Sequence, residues 1–542
     1  MLFRFVPVVF FITLISAIAA TPNPEAPVRL TPGLGEVHHP VSTKNKQAQQ
    51  FFDQGLKLVY GFNHDEARRS FQRAAELDPK LAMAHWGVAL TLGPNYNLPV
   101  DPERERAGYD AVQRAIALKE GASEPERAYL DALAVRYSND PKADLHALDH
   151  AYKDAMAKLA ARYPDDLDAA TLYAESMMNL NPWKLWSADG KPAEGTEEIV
   201  SVLESVLKRD PNHLGANHYY IHAVEASLHP ERALPSAERL AKLAPAAGHL
   251  VHMPAHIYSR VGDHSASAHC NTLAVAADKK FLTETRESGV YPMMYYSHNM
   301  HFLAFAASMN GNFPEARNAA AKLVANVAPG VKMMPDLEGF MPTPMVVLFA
   351  FERWNDLLKF PAPDASFVTT NAIWHSFRGV ALANTGKTAE AEEEQKKFRE
   401  AIAKIPPDKM YDSLNKVSAV FKIHENILSA AIARSRGDNN AAVESLKQAV
   451  AAQDALSYSE PPAWYPPVRS AALGKLLLAN NQAAEAEKVF REDLAKNPRD
   501  GRALGGLRDA LKAQDRQYEA DQIDRQFRAA WKVAEGGSAS AR

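Results

Sequence analysis

The sequence predicts an all-α protein, a solenoid of paired helices interrupted by Pro-rich insertions. Three observations predict it. Small and apolar residues recur at helical spacing nearly throughout, and clean alternation over five or more residues is hard to find. Glycines such as Gly262, Gly311, Gly386 and Gly437 fall between pairs of helical segments, where a chain reversal needs a residue free of a side chain. The third is a repeat, described below with the segment that carries it best.

The chain opens MLFRFVPVVFFITLISAIAA. Arg4, the apolar run behind it and the small-x-small pattern Ala17-Ile18-Ala19 predict a secretory signal peptide over residues 1–19, with an uncleaved anchor as the alternative. No later stretch approaches the ~18 apolar residues of a membrane span. The expectation is a periplasmic or secreted protein with no stable membrane span after signal cleavage. Residues 20–47 read as an extended arm carrying His38-His39-Pro40, which is expected to fold into the groove mouth. Cys270 is the only cysteine, so an internal disulfide is excluded and stability has to come from burial. A net charge of −4 without long runs of one sign excludes a basic nucleic-acid footprint.

From Ala48 to Pro79 the chain reads AQQFFDQGLKLVYGFNHDEARRSFQRAAELDP. Counting Ala48 as position 1 puts Gly55 at 8, Ala67 at 20, Phe71 at 24, Ala74 at 27 and Pro79 at 32. This resembles the tetratricopeptide repeat (TPR), a 34-residue helix–turn–helix with small residues where its helices touch. Trp86-Gly87 and Leu214 to Ser227 fit further first helices. Ala233, Ala237 and Pro245 fit the partner of the latter. Ala316, Ala391, Ala442 and Ala486 take the small position of second helices, Phe490 and Pro498 repeat the late signature, and Ala520 with Phe527 fits a terminal unit. The template predicts roughly nine or ten units over 48–533, some degenerate, followed by a disordered polar tail at 534–542.

Insertions break the array at Gly93 to Pro99, Asn181 to Gly195, Met333 to Pro344 and Ser459 to Pro467. Trp183, Trp186 and Trp464 in these loops are expected either to roof a groove or to cover apolar edges of neighbouring repeats. Beyond the generic repeat, FNHDEA at Phe62–Ala67, HMPAHIY at His252–Tyr258, YSHNMHFL at Tyr296–Leu303 and EPPAWYPPVR at Glu460–Arg469 are similar to motifs of a group of large bacterial exported TPR proteins. That resemblance covers most of the chain and implies a fold, not an activity.

Chemistry concentrates in the middle. Eleven of nineteen histidines lie between His213 and His301. His218 and His222 are four apart with Glu225 three further on; His249, His252 and His256 step by three and four; His298 and His301 step by three. Such steps put each set on one helix face. In the repeat numbering they are positions 5, 9 and 12, then 2, 5 and 9, then 2 and 5, of three consecutive first helices. The TPR resemblance implies that these positions line a concave groove. At about 100° per residue they form a stripe about 130° from the packing face. The expectation is one patch holding His218, His222, His252, His256, His298 and His301, with Glu225 and His249 at its edge.

Imidazole-rich ligation suits a transition metal (copper, zinc or iron) and argues against calcium or magnesium. Eight candidate ligands suit a dinuclear site, or one ion with outer histidines orienting the ligands. Nearby Met253, Met293, Met294 and Met300 are either sulfur donors favouring copper or core filler. Three functions stay open: a scaffold binding a protein or peptide partner in the groove, a metal-dependent oxidoreductase or hydrolase, and a metal carrier of the cell envelope. The sequence leaves open whether the protein is an enzyme. Gly-rich phosphate loops, a Gly-x-Ser-x-Gly elbow and His-Glu-x-x-His are absent. His64 reads as a capping or packing residue, His85, His375 and His424 as single groove-side or packing histidines, and His213, His229, His264 and His269 as solvent-exposed.

Overall fold

A computed structural model describes residues 27–531. The segments expected to be a signal peptide (1–19) and a polar tail (534–542) lie outside the described residues. Between those limits the chain is α-helical with no strand, and only isolated bridges such as Asn95 with Leu98 punctuate the loops. The fold is a solenoid of TPR-type hairpins. No helix among the described residues is long and apolar enough to cross a membrane.

The first hairpin, Lys46–Tyr60 with His64–Leu77, shows how the sequence makes these units. Phe71 is fully buried between two glycines. A Cβ at Gly55 or Gly87 would lie 2.5 or 2.4 Å from its ring. Far along the chain Phe490 is gripped the same way, with Gly474 and Gly506 at 2.5 and 2.2 Å. Small residues at helix contacts let backbones approach until one aromatic ring fills the gap.

The reversals share one design. Gly262, Gly311, Gly386 and Gly437 take φ of +78°, +84°, +79° and +81°, the left-handed conformation that ends a helix cheaply only for glycine. The next residue caps the following helix in most of them: Asp263, Asn312 and Asp438 accept the N–H of Ala266, Glu315 and Ala441. Ala233, expected within a second helix, instead closes a 3₁₀ turn, Pro230–Ala233, that precedes Leu234–Leu243.

Both ends of the array fold back on its middle. Gly215 meets the Tyr60 ring, with 2.4 Å to a built Cβ, so the first hairpin rests on the helix Leu214–Val224. Arg502 donates to the carbonyls of Ser308 and Ala350 at 3.0 and 2.9 Å, and Gly311 abuts Trp531. The arm crosses the same region. The Gly33 carbonyl accepts from Ala246 N–H at 2.9 Å, and His39 reaches Asp168 at 2.8 Å. The centre of the solenoid is therefore enclosed from two sides.

Candidate metal centre

Three consecutive first helices deliver the histidines. Leu214–Val224 carries His218 and His222 one turn apart, with Glu225 as its C-cap. The second is kinked at Met253-Pro254 into Gly248–His252 and Pro254–Arg260. Gly248 is obligatory there, because a Cβ would lie 1.9 Å from Asp278 Oδ1. The third, Tyr296–Met309, follows a π-helical turn at Tyr291–Tyr295.

The stripes meet, but not on an open groove. His218, His222, Glu225, His249, His252 and His256 are each at most 2% exposed. Only His298 and His301 are half-buried. The concave face is closed by residues the helical register does not specify. Phe62 stacks on His222 and His249 with centroids 5.8 and 5.6 Å away and stands edge-on to His218 at 4.5 Å, and Tyr96 and Trp183 cover His222 at 5.1 and 5.8 Å.

Six imidazoles form two triads. His218, His222 and His249 make one, His252, His256 and His298 the other, with the ligand atoms of each set all within 4.8 Å of one another. His249 Nε2 is 3.1 Å from His218 Nε2. His252 Nε2 is 2.8 Å from His256 Nε2 and 3.1 Å from His298 Nε2.

The opposite ring nitrogens are held from outside. Nδ1 of His218 contacts the Tyr60 carbonyl at 2.6 Å, and Nδ1 of His252 contacts Asn271 Oδ1 at 2.7 Å. Asn271 Nδ2 donates to the Ser267 carbonyl at 2.9 Å, which fixes its oxygen as the acceptor for His252. Glu225 serves both triads, accepting from His222 Nδ1 at 2.8 Å through one oxygen and from His256 Nδ1 through the other. With Nδ1 as donor, neutral His218, His222 and His252 turn an Nε2 lone pair inwards, and protonated His256 donates from Nε2 to His252.

That arrangement fits a cation. In the metal-free protein each close Nε2 pair shares one proton as an N–H···N hydrogen bond, and a cation taking the place of those protons would be held by the same nitrogens. Two nitrogens on one tetrahedral ion at 2.0–2.1 Å would be about 3.3 Å apart, close to the spacings here. His222 Nε2 is buried without any protein partner. Outer acceptors on Nδ1 are also how metal-bound histidines are oriented. The donor set is nitrogen-rich, as zinc, copper or iron prefer.

Electrostatics agree. Burial, reinforced by neighbouring rings, holds His218, His249, His252 and His298 well below the ordinary imidazole range. Burial also lowers His222 against the pull of Glu225. His256 is the exception within the triads: burial works against its protonation, but the charge and hydrogen bond of Glu225 prevail and raise it. Burial alone would raise Glu225, yet His256 and His222 bring it down to about 2. A buried carboxylate therefore stays charged beside six mostly neutral ligands.

The eight candidates are thus distributed unevenly. Glu225, expected at the edge, sits between the triads as the orienting carboxylate, and His249 belongs to the first triad. His301 leaves the cluster and packs edge-on to Phe340 at 5.4 Å, because its position on the helix faces the 335–340 turn.

Three contributors escaped the sequence reading. Glu460, from the Pro-rich loop, comes within ligand distance of Glu225 and His256; only its motif context hinted at it. Asn271 lies on a second helix. Phe62 occupies the turn position that glycine fills elsewhere and keeps a left-handed φ of +56°. That conformation costs about 1–2 kcal/mol for an L-residue, and a bulky residue just before a helix cap was the available signal.

Of the aromatic loop residues, Trp183 lies over the cluster and Trp186 donates to the Ala223 carbonyl at 2.7 Å. Trp464 covers an apolar core beside Phe349, Phe377 and His424.

Of two histidines expected in solvent, His264 is buried and His213 half-buried. His213 caps Leu214–Val224 by accepting from Ala216 N–H and pairs with Asp168 at 3.2 Å, while His264 packs on Phe305. His229 and His269 are exposed as expected. A smaller His39, Asp166 and Asp168 group is satisfied internally: burial opposes charge on Asp168, but His213 and His39 hold it far below the usual carboxylate range, and Tyr129 donates to Asp166. Cys270 is buried on His264–Thr285 in an apolar cluster with Ala255 and Phe302, and burial pushes its thiol up to about 11.

No family model and no curated protein matches this chain. Among solved structures it is similar to the APC/C hetero-tetramer Cut9–Hcn1, at 14% identity and a TM-score of 0.32 over 86% of this chain and 76% of that one. It is similar to the human IFIT1 dimer with m7Gppp-AAAA, at 11% and 0.31 over 90% and 91%. A third is the P58(IPK) TPR domain, at 11% and 0.23 over 86% and 98%. Scores this low attach no function to the histidine cluster.

Proposed function

We propose that this chain is an exported TPR-type metalloprotein that binds two transition-metal ions, one in each histidine triad. One observation carries the reading: Nε2 atoms from three helices converge while carbonyl, amide and carboxylate oxygens hold Nδ1 on four of the rings. Zinc, copper or iron is the class of ion these donors suit. Glu225 would offset part of the charge brought in, and His256 would give up its proton on loading. Export rests on the signal-like segment at 1–19.

The enclosed centre favours a metal over a peptide in a histidine-lined groove, since the rings lie beneath Phe62, Tyr96 and Trp183. Within the metal reading, the ligand count favours an enzyme over a simple carrier: three histidines per triad leave the fourth position of a tetrahedral ion for water or substrate, and a metal there would act as Lewis acid or redox centre.

The test is elemental analysis of tag-free protein after reconstitution and dialysis. About two ions per chain are expected, falling to about one in the double variant His252→Ala/His256→Ala with helical content unchanged. A reconstituted protein that retains no metal overturns the proposal.

A further inference from the structure

The arm at 29–43 is held along the solenoid more by its backbone than by its side chains. Gln54, 4% exposed on Lys46–Tyr60, accepts the Thr31 N–H at 2.7 Å and donates to the Arg29 carbonyl at 2.9 Å. Gln49 repeats the grip further along, accepting the Val41 N–H at 3.0 Å and donating to the His39 carbonyl at 2.8 Å. Asp53 accepts the His39 N–H at 3.1 Å, and Glu126 the Ser42 N–H at 2.6 Å. Each glutamine amide thus spends a donor and an acceptor on backbone groups two residues apart.

Little apolar surface backs these bonds. Leu34 is buried, and a Cβ at Gly35 would lie 3.1 Å from Leu214, the first residue of the helix that carries His218 and His222. Val28, Val37 and Val41 are half-buried, while Pro32, Glu36, His38 and Pro40 are exposed. Water replaces most of a neutral hydrogen bond when a segment lifts off, so a charge-assisted one has the larger say in holding the arm down.

That bond is at His39. Its Nδ1 lies 2.8 Å from Oδ2 of Asp168, whose Oδ1 takes the Tyr60 hydroxyl and, at 3.2 Å, His213 Nε2. Asp166 and Asp168 face the ring from the start of Leu167–Met178 and Asp53 from Lys46–Tyr60, and the Tyr129 ring stands edge-on at 5.4 Å. Burial works against charge on His39, but the hydrogen bond and charge of Asp168, with Asp166 and Asp53 behind, prevail and raise it above the ordinary imidazole value. Exposed His38 makes a similar contact, Nδ1 to Asp53 Oδ2 at 2.9 Å.

We infer that residues 29–43 are a proton-operated strap, clasped to the solenoid by His39 on Asp168 and loosened as that imidazole becomes neutral. Undocked, His39 titrates near 6.5. Docked, it keeps its proton to higher pH. Docking is therefore strongest below about 6.5 and weakens as pH rises through the docked value. A lifted strap uncovers Gln49, Asp53 and Gln54 and the start of the helix bearing His218 and His222. The clasp needs no bound metal.

Hydrogen exchange of the full metal-free chain tests it, followed by mass spectrometry from about pH 5.5 to about pH 8.5 and corrected for the intrinsic pH dependence of exchange. Protection over 29–43 should fall about threefold or more across that range, relative to the helix His64–Leu77. His39→Gln keeps an N–H donor for Asp168 and cannot titrate, so its profile should be flat. His38→Gln should keep the wild-type response. Neither side chain lies in a hairpin core, so both variants should fold.

A flat wild-type profile overturns the strap, and so does a response that survives His39→Gln. A response lost in His38→Gln instead moves the clasp to Asp53 and overturns the assignment to Asp168.

Discussion

Two regions of this solenoid bury imidazole, and they do it differently. In the C-terminal half, His424 lies in an apolar box, with Trp464, Phe377 and Phe421 at 4.8, 5.0 and 5.6 Å and one hydrogen bond to Ser376 at 3.0 Å. In the middle, His222 also meets aromatic rings, but its Nε2 has no partner and its neighbours aim their own Nε2 atoms at the same space. The first is a ring used as packing. The second is a set of converging Nε2 atoms, one of them buried without a partner, which packing alone does not explain.

The largest effect should come from treating the two regions with a chelator. Two ions at free concentrations about 100-fold above their dissociation constants would stabilise the native state by about 5 kcal/mol together. The loaded protein should therefore melt well above the stripped one. Hydrogen exchange should quicken around 214–301 on stripping and stay the same around His424. Equal melting of both forms would erase the distinction between the regions.

Next comes a pair of tryptophans. Trp464 is 6% exposed and fills the box around His424, so Trp464→Ala should cost about 3–4 kcal/mol while metal content holds. Trp183 is half-buried over His222. Trp183→Ala should cost less stability and shift metal affinity instead. Denaturant titration and metal titration of both variants would show the two effects crossing over, and a shared pattern would assign both residues to packing.

A smaller change tests the link between the triads. Glu225 accepts from one ring of each. In Glu225→Gln the amide accepts at one end and donates at the other, so either His222 or His256 must turn away. Loss of such an orienting carboxylate typically weakens metal binding 10–100-fold, about 1.4–2.7 kcal/mol. Competition against a chromophoric chelator measures it. An unchanged affinity would leave Glu225 as a buried counter-charge only.

The hairpins were legible because the turn glycines and the small positions encode local backbone geometry, as Gly262 and Gly311 demonstrate. The meeting of three stripes followed from helical register, which is also local. What stayed hidden depends on how distant segments fold back. Glu460 arrives from a loop more than 200 residues beyond Glu225, and Phe62 from a turn about 160 residues before it. The partial burial of His213, the burial of His264 and the departure of His301 were likewise set by neighbours from other hairpins. An open groove was expected because a stripe calculation treats one helix at a time and omits the segments that close over it.

The last prediction concerns the simpler of the two regions. Burial alone brings His424 down to about 3, against an ordinary value near 6.5 in the unfolded chain. A histidine with a depressed native pKa stabilises the fold fully above the unfolded value. That contribution is lost as pH falls from about 6.5 towards 3, because the unfolded chain takes up a proton the native state refuses. For one such group the loss is about 0.7 kcal/mol between pH 7 and pH 6, rising to about 1.4 kcal/mol per unit below that. His424→Phe keeps a ring in the box and removes the titration. Its stability, measured by urea unfolding of metal-free protein, should fall less steeply with acid than the wild type by that amount. Parallel pH profiles would mean that His424 accepts a proton within the fold, and the contrast between a packed imidazole and a ligating one would lose its reference point.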